Sequence, residues 1–330
     1  MNRAKMNLAE HMAHQAIRAR NVPLTSELVR AATVCLTDLV GVTVSGSACP
    51  GPQRLRRVPG VEEAGDALIY GSAKRVSVLN AALVNGTSGH AEDFDDFSDA
   101  FGGHPTVALA PALLALADAR RLSGAAVLRA FVTGVEAQGL LADAVHFHHY
   151  EKGWHPTATL GVFGAAIGAA ELLGLDEART ATAITIAASL SSGLKANFGS
   201  DTKPLHAGQC NRNGLFAAFL AEQGFTSNPG ALEHHHGFLE VFNGTGHYDV
   251  DALYVPWFDV PQLLNPGISI KQFPCCGSTH SSIYAALEIA QTIGPHNPCI
   301  QAVQVEVHPR RLPHTDKPMP TNALEAKFSV

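Results

Sequence analysis

The chain has 330 residues, 46% of them hydrophobic and only 16% charged, with a formal net charge of -6. That length and apolar content supply one large core or two ordinary ones and exclude intrinsic disorder. The acidic balance gives nucleic acid or an anionic membrane no footing as a partner.

Apolar residues at helical spacing predict helices over residues 8–19 and 26–44, divided by Pro23, with Thr25 or Ser26 as N-cap of the second. Residues 53–66, rich in Gly, Pro and charge, read as a loop, and a third helix fits residues 77–84. Next comes NGTSGHAEDFDDFSDAFGGHP, residues 85–105, which concentrates His90, Glu92, Asp93, Asp95, Asp96, Asp99 and His104 between helix-forming flanks. A glycine-bent polar loop held between buried helices is a common place for chemistry, although a solvated acidic turn has the same composition. Pro105 is expected to open a helix that reaches residue 119, and another follows over residues 123–144.

Residues 153–176, GWHPTATLGVFGAAIGAAELLGLD, place Gly161, Gly164, Ala165, Gly168 and Ala169 on one helical face. A membrane span has similar length and small-residue spacing, but Glu171 interrupts it, so a buried core helix is expected. The same glycines do not fit the GxGxxG dinucleotide fingerprint. Further helices are predicted over residues 176–189 and 215–223, with a polar segment, 194–214, between them. His234, His235 and His236 read as exposed loop, because three consecutive histidines cannot all face one metal from a regular helix or strand.

Beyond residue 254 the chain is punctuated by Pro256, Pro261, Pro266 and Pro274; a helix then fits residues 277–294 and a strand residues 301–309. The expected fold is mainly α: a large all-helical domain over residues 1–255 and a smaller, incomplete α+β domain over residues 256–330. Cys35, Cys49, Cys210, Cys275, Cys276 and Cys299 lack CxxC spacing, which suggests reduced cytoplasmic thiols and neither a disulfide framework nor a zinc site. No secretory signal pattern is present at the N-terminus.

Three polar islands lie at helix boundaries: residues 93–104, His155 with residues 195–206, and residues 271–280. Together they set His104, His155, Lys203, His206, Lys271 and His280 against the Asp93 cluster, which favours a small anionic substrate. Ser278 and Thr279 begin a helix whose free N–H groups suit a carboxylate or phosphate. Each residue alone has an ordinary structural explanation, and it is their joint occurrence that points to a site. Residues 93–96 and 95–99 also spell DxDD and DDxxD, patterns that bind magnesium diphosphate or protonate isoprenoids. Against that reading stand the lack of a second metal-binding motif and an aromatic content of 7%.

NGTSGHAEDFDDF with His104 and Pro105, GWHPTATLG, FGSDTKPLHAGQCNRNGLFAAFLAEQGFT and IKQFPCCGSTHSSIYAAL together resemble the MmgE/PrpD family in order and spacing. The resemblance implies a helical domain with a smaller α+β domain over the site, a homodimer, and chemistry without a metal or organic cofactor. It also implies dehydration, decarboxylation or epimerisation of a small polycarboxylate or amino-dicarboxylate. Carried over to this sequence, it places Asp93, His104, His155, Lys203 and Lys271 in the active site. His104 is then the expected acid/base, Asp93 its orienting group, the lysines carboxylate binders, and His155 an assistant. His206, Ser278, Thr279, His280 and His314 are expected as substrate contacts. Two positions depart from the decarboxylase-type pattern: Phe97 stands where that pattern has Thr, and His314 where it has a late Tyr. Residues 96–104 also lack the polar insertion of methylcitrate dehydratases. Family members continue past TNALEAKFSV, so exposed apolar surface is expected where a following segment packs, and an inactive scaffold is the non-enzymatic alternative.

Overall fold

The computed structural model describes residues 6–294 and 300–330. Its elements follow from local signals wherever caps and periodicity agree. α1 (Leu8–Ala19) opens with a reciprocal box between Asn7 and Glu10, and α2 (Ser26–Gly46) is capped by Thr25, whose hydroxyl accepts from the Leu28 N–H. α3 (Pro50–Arg56) and an antiparallel hairpin, β1 (Ala64–Leu68) with β2 (Arg75–Val76), take up the two ends of the loop expected over residues 53–66, and residues 57–63 between them remain turn and loop. α4 (Val78–Gly89) is capped by Ser77 and runs on into the acidic stretch.

α5 (Ala110–Arg120) starts five residues after the proline expected to open it. Residues 105–109 form turns instead, with the Thr106 N–H bound to the Asp96 carboxylate at 3.3 Å. α6 (Gly124–Val145), α7 (His148–Glu151), α8 (Pro156–Thr159), α9 (Gly161–Leu172) and α10 (Glu177–Leu190) follow, with Ser123 and Asp176 capping α6 and α10. α11 (Thr202–Glu222) begins well before the expected residue 215, so Lys203 and His206 stand on a helix. α12 (Phe238–Asn243), α13 (His280–Ile293), α14 (Leu312–Thr315) and α15 (Ala323–Ala326) complete the order.

The architecture is mainly α. At its centre, residues 161–170 of α9 are all buried among α5, α6, α10 and α11. Small residues set these distances: a Cβ on Gly164 would stand 2.8 Å from the Gly134 carbonyl oxygen of α6, and one on Gly214 of α11 would stand 2.7 Å from that of Val162. By length and composition, α2 and α6 are apolar enough to cross a membrane; α6 is 78% buried inside the fold and α2 33%.

The strand expected over residues 301–309 does not form. Its alternation is real, but no neighbouring strand offers a ladder there among the described residues, and Val303 is 80% exposed. α13 buries none of its residues, and Tyr284, Leu287, Ile289 and Ile300 add to the exposed apolar surface nearby. The cysteines among the described residues are free thiols; Cys299 lies outside them. His234, His235 and His236 are exposed on a turn, as expected, with ring nitrogens within 4.8 Å of one another.

Candidate active site

α4 delivers the chain into the 90–104 loop, and three backbone ties fix that loop's shape. Phe97 and Ser269 exchange hydrogen bonds of 3.0 and 2.8 Å, Ser98 N–H donates to the Gly103 carbonyl at 3.0 Å, and His104 N–H donates to Thr157 Oγ1 at 3.1 Å. The first tie brings Lys271, two residues beyond Ser269, beneath Asp93. The last docks the loop on α8, next to His155.

Asp93 is the hub. Its Oδ1 accepts from Lys203 Nζ and Lys271 Nζ, each at 2.9 Å, and its carbonyl oxygen accepts from Lys271 Nζ at 2.7 Å. Its backbone is left-handed, with φ of 52°, a conformation that Asp enters more readily than most residues. Burial pushes its pKa up, but the two ammonium groups outweigh burial and hold the carboxyl well below the usual range. The same pairing helps keep Lys271 charged: burial lowers its pKa, and Asp93 with Asp95 together raise it above the ordinary lysine value. Asp93 Oδ2 is buried and makes no hydrogen bond within the protein.

His104 is held by its inner nitrogen. Nδ1 lies 2.8 Å from the Asp96 carbonyl oxygen and 3.2 Å from Asp95 Oδ2. A carbonyl only accepts, so Nδ1 carries the proton and donates it. Nε2, 3.6 Å from Asp93 Oδ1, is left to exchange a proton. Asp95 also accepts from His90 Nδ1 at 2.9 Å; burial pushes its pKa up, and His104 and His90 pull it below the ordinary range. His90 is buried and its pKa is pulled down to about 3 by that burial, so it is a neutral strut.

His155 is tied by its N–H to the Gly193 carbonyl at 3.0 Å, and its Nδ1 lies 3.2 Å from His206 Nδ1. Burial and then Lys203 lower the pKa of both rings, that of His206 to about 4. Near pH 7 both are therefore neutral, one ring donating to the other.

These groups meet at a cavity of about 180 Å³. Asp93, His104, His155, Lys203, Ser278 and His314 line it. Lys271 stands behind Asp93 and His206 behind His155, one layer out from the wall. Of the expected substrate contacts, Thr279 and His280, like His206, stand away from the cavity wall. Thr279 Oγ1 donates to the Cys276 carbonyl at 2.8 Å and closes a turn, and the His280 ring packs edge-on against Phe97 and Phe273. Neither lines the cavity; Gly277 and Ser278 are the residues of that helix start that do.

Phe97 provides an apolar wall where a Thr was noted as missing. A tyrosine is nevertheless present: Tyr150 lines the cavity 5.9 Å from the His314 ring, and burial raises its pKa so that it stays a proton donor. Arg310 and Arg311 line it too. Sequence reasoning passed over all three. The arginine doublet three residues before His314 was an available signal; Tyr150, at the end of a histidine-rich run, offered none.

His90, Asp93, Asp95 and His104 each bring a ligand atom within 4.8 Å of the others, close enough for a metal. The donor set fits one poorly. Asp93 already carries two ammonium groups, and Asp95 accepts from both imidazoles. The diphosphate-binding reading of DxDD and DDxxD meets the same difficulty. Asp96 turns into the core, where burial pushes its pKa up to about 7, and of these carboxylates only Asp99, 75% exposed, stands open.

A sequence model of the MmgE/PrpD N-terminal domain matches residues 10–251. The cis-aconitate decarboxylase of Homo sapiens is 32% identical over 265 residues, which cover 77% of this chain and 54% of that protein. That of Mus musculus is 28% identical over 320 residues, covering 93% of this chain and 64% of the relative. A cis-aconitate decarboxylase-like protein of Aspergillus oryzae is 27% identical over 294 residues, covering 84% and 61%. The chain thus spans between about half and two thirds of the length of these curated relatives. The matched domain runs from α1 through the acidic loop, His155 and Lys203 to the turn after α12, and on that coverage the chain belongs to the MmgE/PrpD family.

Proposed function

We propose that this protein is a lyase acting on a small polycarboxylate, with decarboxylation of a cis-aconitate-like tricarboxylate as the favoured reaction and dehydration on the same site as the alternative. One observation carries the reading: a histidine with its outer nitrogen free to move a proton stands 3.6 Å from a carboxylate held by two lysines. Decarboxylation breaks the bond between the departing carboxylate and its carbon. Carbon dioxide leaves, the electron pair stays on the carbon skeleton, and a proton is delivered to carbon. His104 in its imidazolium form supplies that proton from Nε2, while Nδ1 keeps the one it donates to the Asp96 carbonyl oxygen. Lys203 and the Tyr150 hydroxyl stabilise the charge that spreads onto the neighbouring carboxylate. In dehydration the same nitrogen, unprotonated, removes a proton beside a carboxylate, the C–O bond on the adjacent carbon breaks, and the leaving hydroxyl departs as water after taking that proton back from His104. The neutral His155–His206 pair gives a second route for protons.

The names of the curated relatives support the choice of decarboxylation over dehydration. A homodimer belongs to the same proposal and rests on family membership alone. The test is a panel of unsaturated and hydroxylated tricarboxylates in deuterated water, followed for carbon dioxide release and for exchange at carbon. Turnover or exchange is expected, and His104→Ala should lower it by at least about 100-fold with the helical circular dichroism unchanged. Near-normal turnover in that variant removes His104 from the role. Inertness of the wild-type chain toward the whole panel overturns the proposal.

A further inference from the structure

Not all the cations in the cavity wall are equally available. Lys203 already donates to Asp93 at 2.9 Å, and Lys271 does the same from behind. The Arg310 guanidinium is stacked over the Phe147 ring, 3.9 Å from its centroid. Arg311 is different. Its Nη1 donates to Ser278 Oγ at 2.8 Å, and the carboxylate facing it is Asp99, at 3.8 Å. Asp99 is 75% exposed, so that pairing is worth little. A planar fork with donors to spare, about one third exposed and lining a cavity, suits a carboxylate in bidentate contact.

Its neighbours agree with that role. Ser278 Oγ also lies 3.3 Å from His314 Nε2, so hydroxyl, imidazole and guanidinium form one donor-rich corner. His314 is neutral near pH 7, because burial and then the nearby Lys195 and Arg311 lower its pKa to about 4. Among the described residues, no hydrogen bond or ion pair joins this corner to Asp93, Lys203 or Lys271, so the cavity has two separate groups of cationic donors.

We propose that Arg311, seated on Ser278, is the distal carboxylate anchor of this cavity and a specificity determinant that favours tricarboxylates over shorter acids. Asp99 competes for the same fork when no ligand is bound. The inference deepens the lyase reading and rests on it. The Lys203 side receives the carboxylate next to the reacting carbon, and Arg311 receives the far one.

The test is calorimetric titration of the intact chain with two inert probes, the saturated tricarboxylate tricarballylate and the shorter dicarboxylate succinate, which lacks one carboxymethyl arm. Arg311→Gln should weaken tricarballylate by about 10- to 100-fold, as expected for loss of a charge-assisted contact, and change succinate, too short to reach from the Lys203 side to Arg311, by less than about twofold. Arg311→Lys, which keeps the charge and loses the fork, should fall between, and Asp99→Asn should tighten tricarballylate. Equal binding of tricarballylate by Arg311→Gln and wild type overturns the anchor. So does an equal loss for both probes. Failure of wild type to bind either probe overturns the polycarboxylate reading itself and the anchor with it.

Discussion

Asp93 joins stability to function because it is the shared counter-charge of two buried lysines. Asp93→Asn leaves both ammonium groups without a carboxylate in a site where Lys271 is 4% exposed. Removing one partner of a buried ion pair costs about 3–5 kcal/mol. The variant should therefore show a lower urea midpoint at pH 7 as well as lost turnover. Because the folded pKa of Asp93 lies below its unfolded value, its stabilisation is present above about pH 4 and fades as the pH falls further. Asp96 has the opposite sign. Burial raises it to about 7, so between pH 4 and 7 the native state holds a proton that the unfolded chain has released, and stability falls as pH rises. Asp96→Asn keeps a neutral group of the same shape there. Its gain in melting temperature over wild type should grow from pH 4 to pH 7 and then level off. A gain independent of pH would show that Asp96 does not titrate in this range.

At the scale of elements, the contact between α4 and α11 sets the lysine geometry. A Cβ on Gly208 would lie 2.1 Å from Thr87 Oγ1 and 2.2 Å from the Leu83 carbonyl oxygen, and a backbone carbonyl within a helix cannot step aside. Gly208→Ala should separate the two helices, cost about 1–3 kcal/mol in chemical denaturation, and raise KM, because Lys203 on the first turns of α11 moves away from Asp93 on the loop after α4. An unchanged KM in a folded variant would show that α11 holds its place by other contacts. The same contact shows what sequence conveys and what it hides. Thr25, Ser77, Ser123 and Asp176 cap their helices as their residue types predict, because a cap is a local bond. The start of α11 was hidden, since its buried face is built from Lys203, Ala207, Gly208 and Asn211, with no apolar stripe to count. Residues 301–309 failed in the reverse way: alternation is local, but a strand needs a partner.

For the whole molecule, six separate stretches of the chain, around residues 93–104, 147–155, 198–203, 276–278, 310–314 and 328, meet at one cavity. Sequence motifs named most of the participants, because ionisable residues are conspicuous in an apolar chain. They could not show which stand in front. That Lys271 lies behind Asp93, that His280 packs between phenylalanines and that Arg311 faces the cavity all follow from ties such as Phe97 to Ser269, which no local pattern announces. Packing is also uneven: residues 161–170 of α9 are buried throughout, whereas α13 buries none of its residues and Ser278, Arg311 and His314 belong to that thinly packed part of the chain. Local opening should be easiest there. A tricarboxylate spanning Lys203 and Arg311 would bind only where both walls are in place. By mass action it stabilises that state by about 2.7 kcal/mol at a hundred times its dissociation constant. In hydrogen exchange, saturating tricarballylate should slow the amides of residues 308–315 and 198–203 and leave α9, already protected, unchanged. Slowing confined to residues 198–203 would mean that the ligand is held from one side only and that the outer wall plays no part in binding.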